Sequence, residues 1–154
     1  MKQQEEKDRE PRYWVGVASR DHVRIGADGG FCQFCHGKPG PVNRLKMGDW
    51  IAYYSPRESM GAGRPVQAFT ALGEVTGDAT FQATLGNFMP YRKDVRFVDA
   101  ADASIHPMLD QLSFTRGRKN WGMMFRTGFF RMERCDFLII ARAMGVEIET
   151  VIAS

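Results

Sequence analysis

Long apolar runs, a pairable set of cysteines and a surplus of either charge are all missing from this sequence. Its apolar runs reach five residues at Phe137–Ala141, far short of the roughly 20 that a membrane helix needs. Three cysteines, an odd number, leave no complete set of internal disulfides, and reduced thiols are the expectation. Twenty-one Lys and Arg against eighteen Asp and Glu leave a net charge of +3, which by itself selects no class of partner. The three histidines and the serines form no His-Glu-x-x-His, no phosphate-binding loop and no nucleophile elbow. The glycines around Gly61 and Gly63 lack the Lys-Ser/Thr that would make them a phosphate cradle, and no pair of carboxylates stands apart from the rest. Nothing here nominates an enzyme.

What is present is an ordinary globular composition, 44% hydrophobic and 25% charged, in a chain long enough to bury one core without staples. The start, "MKQQEEKDREP", is dominated by charged and amide side chains and resembles neither a secretory signal nor a transit peptide. A cytoplasmic protein with a disordered leader over residues 1–11 is expected.

Aromatic and β-branched residues at 12–19 predict a strand, and Ser19 stands as N-cap of a short helix that glycines 29 and 30 close. Met47-Gly48-Asp49 predicts a turn before a strand that runs through Tyr54 and breaks at Ser55-Pro56, with a glycine-rich loop over 56–65. Further strands are expected at 66–78, 79–85, 91–98 and 128–132, and one or two helical turns at 104–112. Phe137, Ile140, Ala141 and Met144 recur at helical spacing with Gly145 as the closing residue, which predicts a final helix. Short strands with few helices give an α+β fold, a small mixed barrel rather than a parallel α/β sheet.

The string "FCQFCH" (31–36) is spelled like a haem attachment site, half a zinc site or a redox dithiol. Haem attachment requires export, and no export signal precedes it. Zinc requires four ligands, yet there is no second Cys-x-x-Cys and no His-x₃₋₅-His among His22, His36 and His106. A thioredoxin-like dithiol opens a helix, whereas "HGKPGP" follows here. Partly buried thiols in an ordered loop are the expectation, with no metal and no cofactor.

Between Thr115 and Arg134, six basic residues face Glu133 alone and alternate with Trp121, Phe125, Phe129 and Phe130. This pattern suits phosphates and stacked bases; core aromatics beneath a solvated basic face would give the same pattern. Alternate strand residues face opposite sides, so Tyr53 and Tyr54 are not both expected in the core. Trp121 sits in a loop, as a ligand platform or as the loop's anchor.

At "YWVGVASRDHV", "GGFCQFCHGKPGPVNRLKMGDWIAYYSP", "QAFTALGEV", "YRKDVRF" and "LSFTRGRKNWGMMFRTGFF" the sequence resembles the EVE domain family. The resemblance covers residues 12–145 and leaves 146–154 as a C-terminal tail. It implies a PUA-like fold, an open β-barrel flanked by short helices and related to YTH and ASCH domains. It also implies a non-catalytic module that reads a modified base of DNA or RNA in an aromatic pocket, needing neither membrane nor obligate protein partner. By position, Trp121 would be the stacking platform and Tyr54 a second wall. Asn120, Ser19, Ser55 and Gln33 would meet the base edges, with Phe31 and Cys32 at the pocket-side loop. Arg116, Arg118 and Lys119 would hold phosphates. A sensor of a free nucleoside, nucleotide or other small anion in the same pocket is the alternative, and the modest net charge favours a small footprint. An enzyme acting through Cys32 and Cys35 is a third.

Overall fold

A computed structural model describes residues 10–148. All but the last two residues of the expected leader, and the tail beyond Ile148, lie outside the described residues. The chain runs β1 (Tyr13–Val17), α1 (Arg20–Gly29), β2 (Phe31–Cys32), α2 (Pro39–Arg44), β3 (Trp50–Ser59) and β4 (Ala62–Val75), then β5 (Phe81–Gln82), β6 (Tyr91–Phe97), β7 (Ala103–Ser104), β8 (Phe129–Met132) and α3 (Arg134–Ala143). Short 3-10 segments occur at Cys35–Gly37, His106–Met108 and Trp121–Thr127.

The eight strands form one sheet ordered β2-β6-β4-β3-β1-β8, with β5 beside β6 and β7 beside β4. β1 and β3 are parallel, while the other pairings are antiparallel. The sheet curls into an open half-barrel with few short helices, the expected α+β architecture.

Both faces of the sheet are buried. On one face Tyr13, Val15, Trp50, Ala52, Tyr54 and Phe69 pack against Phe125, against Phe137 and Ile140 of α3 and against Met144 just after it. On the other, Trp14, Ile51, Tyr53 and Val75 pack with Val23 of α1, Phe34, Val42 of α2 and Phe129. This corrects the expectation that one of Tyr53 and Tyr54 lies outside the core. They do face opposite sides, but each side has its own cluster, and both tyrosines are buried. The first cluster extends to Val146 and Ile148, so core packing reaches into the segment expected as a tail.

Local signals explain the element ends. Ser19 caps α1, its hydroxyl accepting from the His22 N–H at 3.5 Å, and Gly30 closes it at φ +73°, a conformation glycine adopts without strain. Met144 ends α3 and Gly145 follows at φ +79°. Asp49 is buried just before β3. Its carboxylate accepts from the Arg12 N–H, the Trp14 indole and the Lys46 N–H, each at 3.0 Å, so it joins the start of β1 to the turn ahead of β3.

Two expected breaks are corrected. β3 continues through Ser55-Pro56 to Ser59, and the glycine-rich segment forms the turn and early strand of a β3–β4 hairpin rather than a loop. Its pairing shifts register on either side of Pro56, so the ladder does not need the N–H that proline lacks. The strand expected over 79–85 shortens to Phe81–Gln82, whose exposed side chains give a longer strand nothing to bury.

Candidate nucleobase cavity

On the face that holds Tyr53, a cavity of about 450 Å³ opens between α1, the cysteine loop, the β3–β4 hairpin and the chain entering β6. Its walls include Ser19, Phe31, Gln33, Phe34, Tyr53 and Arg92. Leu85 and Phe88 stand at the same opening, both exposed.

Close packing fixes the walls. Glycines let α1 lie against Phe31: a Cβ at Gly29 would fall 2.5 Å from the Phe31 ring, and one at Gly26 would fall 2.8 Å from the Phe31 carbonyl oxygen. Gly16 does the same for Phe34, whose ring would meet a Cβ there at 2.3 Å. Phe34 in turn stacks on Tyr53, with centroids 5.4 Å apart.

Polar contacts fix the loop. The Gln33 N–H donates to the Tyr53 hydroxyl at 3.3 Å, and that hydroxyl donates to the Gln33 carbonyl at 3.1 Å. The Arg92 guanidinium lies over the Phe31 ring, 3.7 Å from its centroid, and Arg92 Nε donates to Gln33 Oε1 at 2.8 Å. Cys35 and His36 hold left-handed backbone at φ +52° and +61°, a costly state for side-chain-bearing residues that only a well-tied loop retains. Arg20 pairs with Glu58 at 3.0 Å and with Asp102, and the Ser59 hydroxyl donates to Asp21 at 2.5 Å. These contacts clamp the hairpin end to the start of α1 beside the opening.

Burial sets the electrostatics. The Cys32 thiol lies fully inside, and burial pushes it up to about 12, so it stays protonated at neutral pH and is a poor nucleophile. Burial also raises the Tyr53 phenol well above its usual value and holds the Arg92 guanidinium below its own. Lys93, the next residue of β6, is buried, donates to the Leu45 carbonyl at 2.8 Å and is likewise held down by burial. Cys32, Cys35 and His36 do not converge as a metal-ligand group among the described residues.

The residues singled out in the sequence fall in three places. Ser19, Phe31 and Gln33 line the cavity. Cys32 lies behind that wall, and Cys35 is the thiol at the cavity. Tyr54 and Ser55 are buried in the sheet: Tyr54 stacks on Phe125 at 4.0 Å, and the Ser55 hydroxyl shares a 2.7 Å hydrogen bond with Thr70. Arg116, Arg118, Lys119 and Asn120 stand exposed on a ridge, where the last three border a shallow depression with Met123, Met124 and Thr127. Trp121 is half-buried beside it, edge-on to His106 and Phe125 at 5.8 and 6.3 Å. Ridge and cavity share a border, since the Cys35 thiol meets the Thr127 carbonyl at 3.6 Å.

Arg92, Phe34, Tyr53 and Phe88 were missed as wall residues. Nothing local marks Arg92, which lies 59 positions from Gln33. Tyr53 was visible in the strand pattern, but choosing it over Tyr54 requires knowing which face carries the opening.

The EVE domain family matches residues 12–143. The chain belongs to the EVE domain family. Among relatives of this EVE chain, "UPF0310 protein YdcG" of Bacillus subtilis is 42% identical over 137 residues, 88% of this chain and 94% of its own length. "UPF0310 protein msl3206" of Mesorhizobium japonicum is 46% identical over 136 residues, covering 86% and 91%. A hypothetical protein from Leishmania major has the same fold, with a TM-score of 0.57 at 13% identity over 86% of this chain and 94% of that one. Rpa0253 from Rhodopseudomonas palustris aligns with a TM-score of 0.54 at 11% identity, over 87% and 93%. No helix among the described residues of the EVE chain is long and apolar enough to cross a membrane.

Proposed function

We propose that this EVE domain is a non-catalytic, cytoplasmic binding module that takes one modified nucleobase of DNA or RNA into the cavity beside Phe31, Gln33 and Arg92. The observation that carries this reading is the cavity itself: about 450 Å³, within the range of small-ligand sites, with aromatic walls, a few fixed polar groups and a basic ridge along its border. The PUA-like fold of the family, which often binds nucleic acids, supports the same reading.

The energetics are consistent with it. Taking a base out of its stack costs a few kcal/mol, which an enclosed flat site offsets. The outer face of the Arg92 guanidinium, backed by Phe31, and the exposed Phe88 ring offer stacking surfaces. Arg116, Arg118 and Lys119 would hold neighbouring phosphates and fix the strand without reading sequence, with Asn120 and Trp121 at their side. A methyl or similar modification adds buried apolar area worth about 1 kcal/mol, a roughly fivefold preference.

A net charge of only +3 favours a short footprint and keeps a free nucleotide as the second reading. A titration at two salt concentrations decides between them. Short DNA and RNA strands carry one methylated or hydroxymethylated base, and the matching free nucleosides serve as competitors. A reader binds the strands with modification selectivity and weakens with salt; a sensor binds the free compounds equally well. Failure of every strand and nucleoside to bind would overturn both readings.

A further inference from the structure

The hydrogen bonds around Gln33 restrict which base edge the cavity accepts, an inference that rests on the base-binding reading above. A side-chain amide can present either its oxygen or its nitrogen to a ligand, and the choice is ordinarily open to a flip. Here a neighbour decides it. Arg92 Nε sits 2.8 Å from the Gln33 amide, and a guanidinium only donates. The oxygen Oε1 must therefore face Arg92, and the amide nitrogen Nε2, with two N–H groups, is turned to the remaining space. The rest of the loop leaves little freedom to undo this, because the Gln33 backbone N–H and carbonyl are both engaged by the Tyr53 hydroxyl. Arg92 is itself held flat against the Phe31 ring.

Gln33 and Arg92 both line the cavity. Among the described residues neither Gln33 Nε2 nor the two terminal nitrogens of Arg92 has a protein acceptor. The committed donors of the cavity are thus grouped on one wall, and the acceptor beside them, Gln33 Oε1, is engaged by Arg92 Nε. Ser19, His22 and His36 offer either role and do not reverse the balance.

We propose that the cavity selects a nucleobase whose inward edge presents an oxo group over the otherwise similar base that presents an amino group, and that Arg92 is the positioning residue that sets this preference through Gln33. An oxo edge would accept from Gln33 Nε2. An amino edge would bring a donor against donors, leaving both without partners inside the cavity, the costly arrangement for polar groups withdrawn from water.

The test uses the full chain and pairs of 5′-monophosphates, or of short strands carrying the same bases where the free nucleotides do not bind, in which an oxo group and its neighbouring ring N–H replace an amino group and a bare ring nitrogen: uridine against cytidine, and inosine against adenosine. Phosphate and ribose are the same within each pair and cancel. The oxo member should bind at least about tenfold tighter in both pairs. Gln33→Glu keeps an acceptor for Arg92 and replaces the donor nitrogen by an acceptor oxygen, so the preference should vanish or invert while the thermal midpoint stays put. Gln33→Met, of similar shape with no amide, should also abolish it and serves if the Glu variant does not fold. Arg92→Ala frees the amide to flip, so the affinity ratio within each pair should fall toward one, a readout that a merely structural role would not move.

Equal affinities within both pairs for the wild-type chain, or an unchanged ratio in Gln33→Glu, would overturn the proposal and leave the base-binding reading intact. If none of the four nucleotides nor any modified strand binds, the base-binding reading falls, and this inference with it.

Discussion

Tyr53 and Tyr54 are neighbours in β3 and equally buried, yet the two faces they serve are built differently. Tyr54 faces a cluster closed over by α3 and the segments between β7 and β8, and its ring is stacked on Phe125. Tyr53 faces a cluster closed by α1 and α2 but open where the cysteine loop meets the start of α1, and its hydroxyl grips the Gln33 backbone. One face is closed over and filled by side chains. On the other, glycines 16, 26 and 29 bring backbone and rings close, and the side chains of Gln33 and Arg92 fix one another in the cavity wall.

That contrast can be broken most forcefully on the closed face. Phe137→Ala or Trp50→Ala should lower unfolding free energy by about 3–5 kcal/mol, whereas Phe88→Ala or Leu85→Ser at the cavity mouth should stay within about 0.5 kcal/mol. Urea unfolding measures both, and equal costs would mean the mouth is packed like the core. Gly16→Val should cost about 1–3 kcal/mol by overpacking Phe34. Because Phe34 is a cavity wall, the same variant should also weaken ligand binding, a loss that Phe137→Leu on the far face should not share.

Alkaline pH tests both faces together. Cys32 is raised from 9.0 to about 12 and Tyr54 from 10.0 to about 12, and Tyr53 is also raised. The unfolded chain releases these protons first, so stability is full below pH 9 and falls as pH climbs toward 12. Each such group contributes up to about 1.4 kcal/mol per pH unit. Lys93, held below its usual value, acts in the opposite sense and offsets part of the decline. Urea midpoints between pH 8 and 11 should show the fall, and Cys32→Ala should delay its onset.

The finest comparison is a pair of single-atom deletions. Tyr53→Phe should cost about 1 kcal/mol and speed amide exchange at Gln33. Tyr54→Phe should cost less than half of that, since its hydroxyl has no partner among the described residues. Equal effects would show that the Gln33 bridge is not what holds the loop.

The fold was legible where local physics governs. The cap at Ser19, the glycine closures at Gly30 and Gly145, and the strands at 13–17, 91–97 and 129–132 follow from side-chain type and period alone. The hairpin through Pro56 was not, because a proline inside a strand is tolerated only where the ladder shifts register, and register belongs to the partner strand. Of the residues that the motif resemblance singled out, Ser19, Phe31 and Gln33 line one cavity, while the stretch of basic and aromatic residues resolves into an exposed ridge next to it.

The sequence by itself determined the family, the α+β class and the ends of most elements, because caps, turns and alternation act over a few residues. Only the tertiary structure decided which tyrosine faces the cavity, which cysteine reaches it, and that Arg92 holds Gln33 from 59 positions away. Those outcomes depend on which strands become neighbours in a curled sheet, and strand pairing is a long-range property that no local stretch of sequence carries.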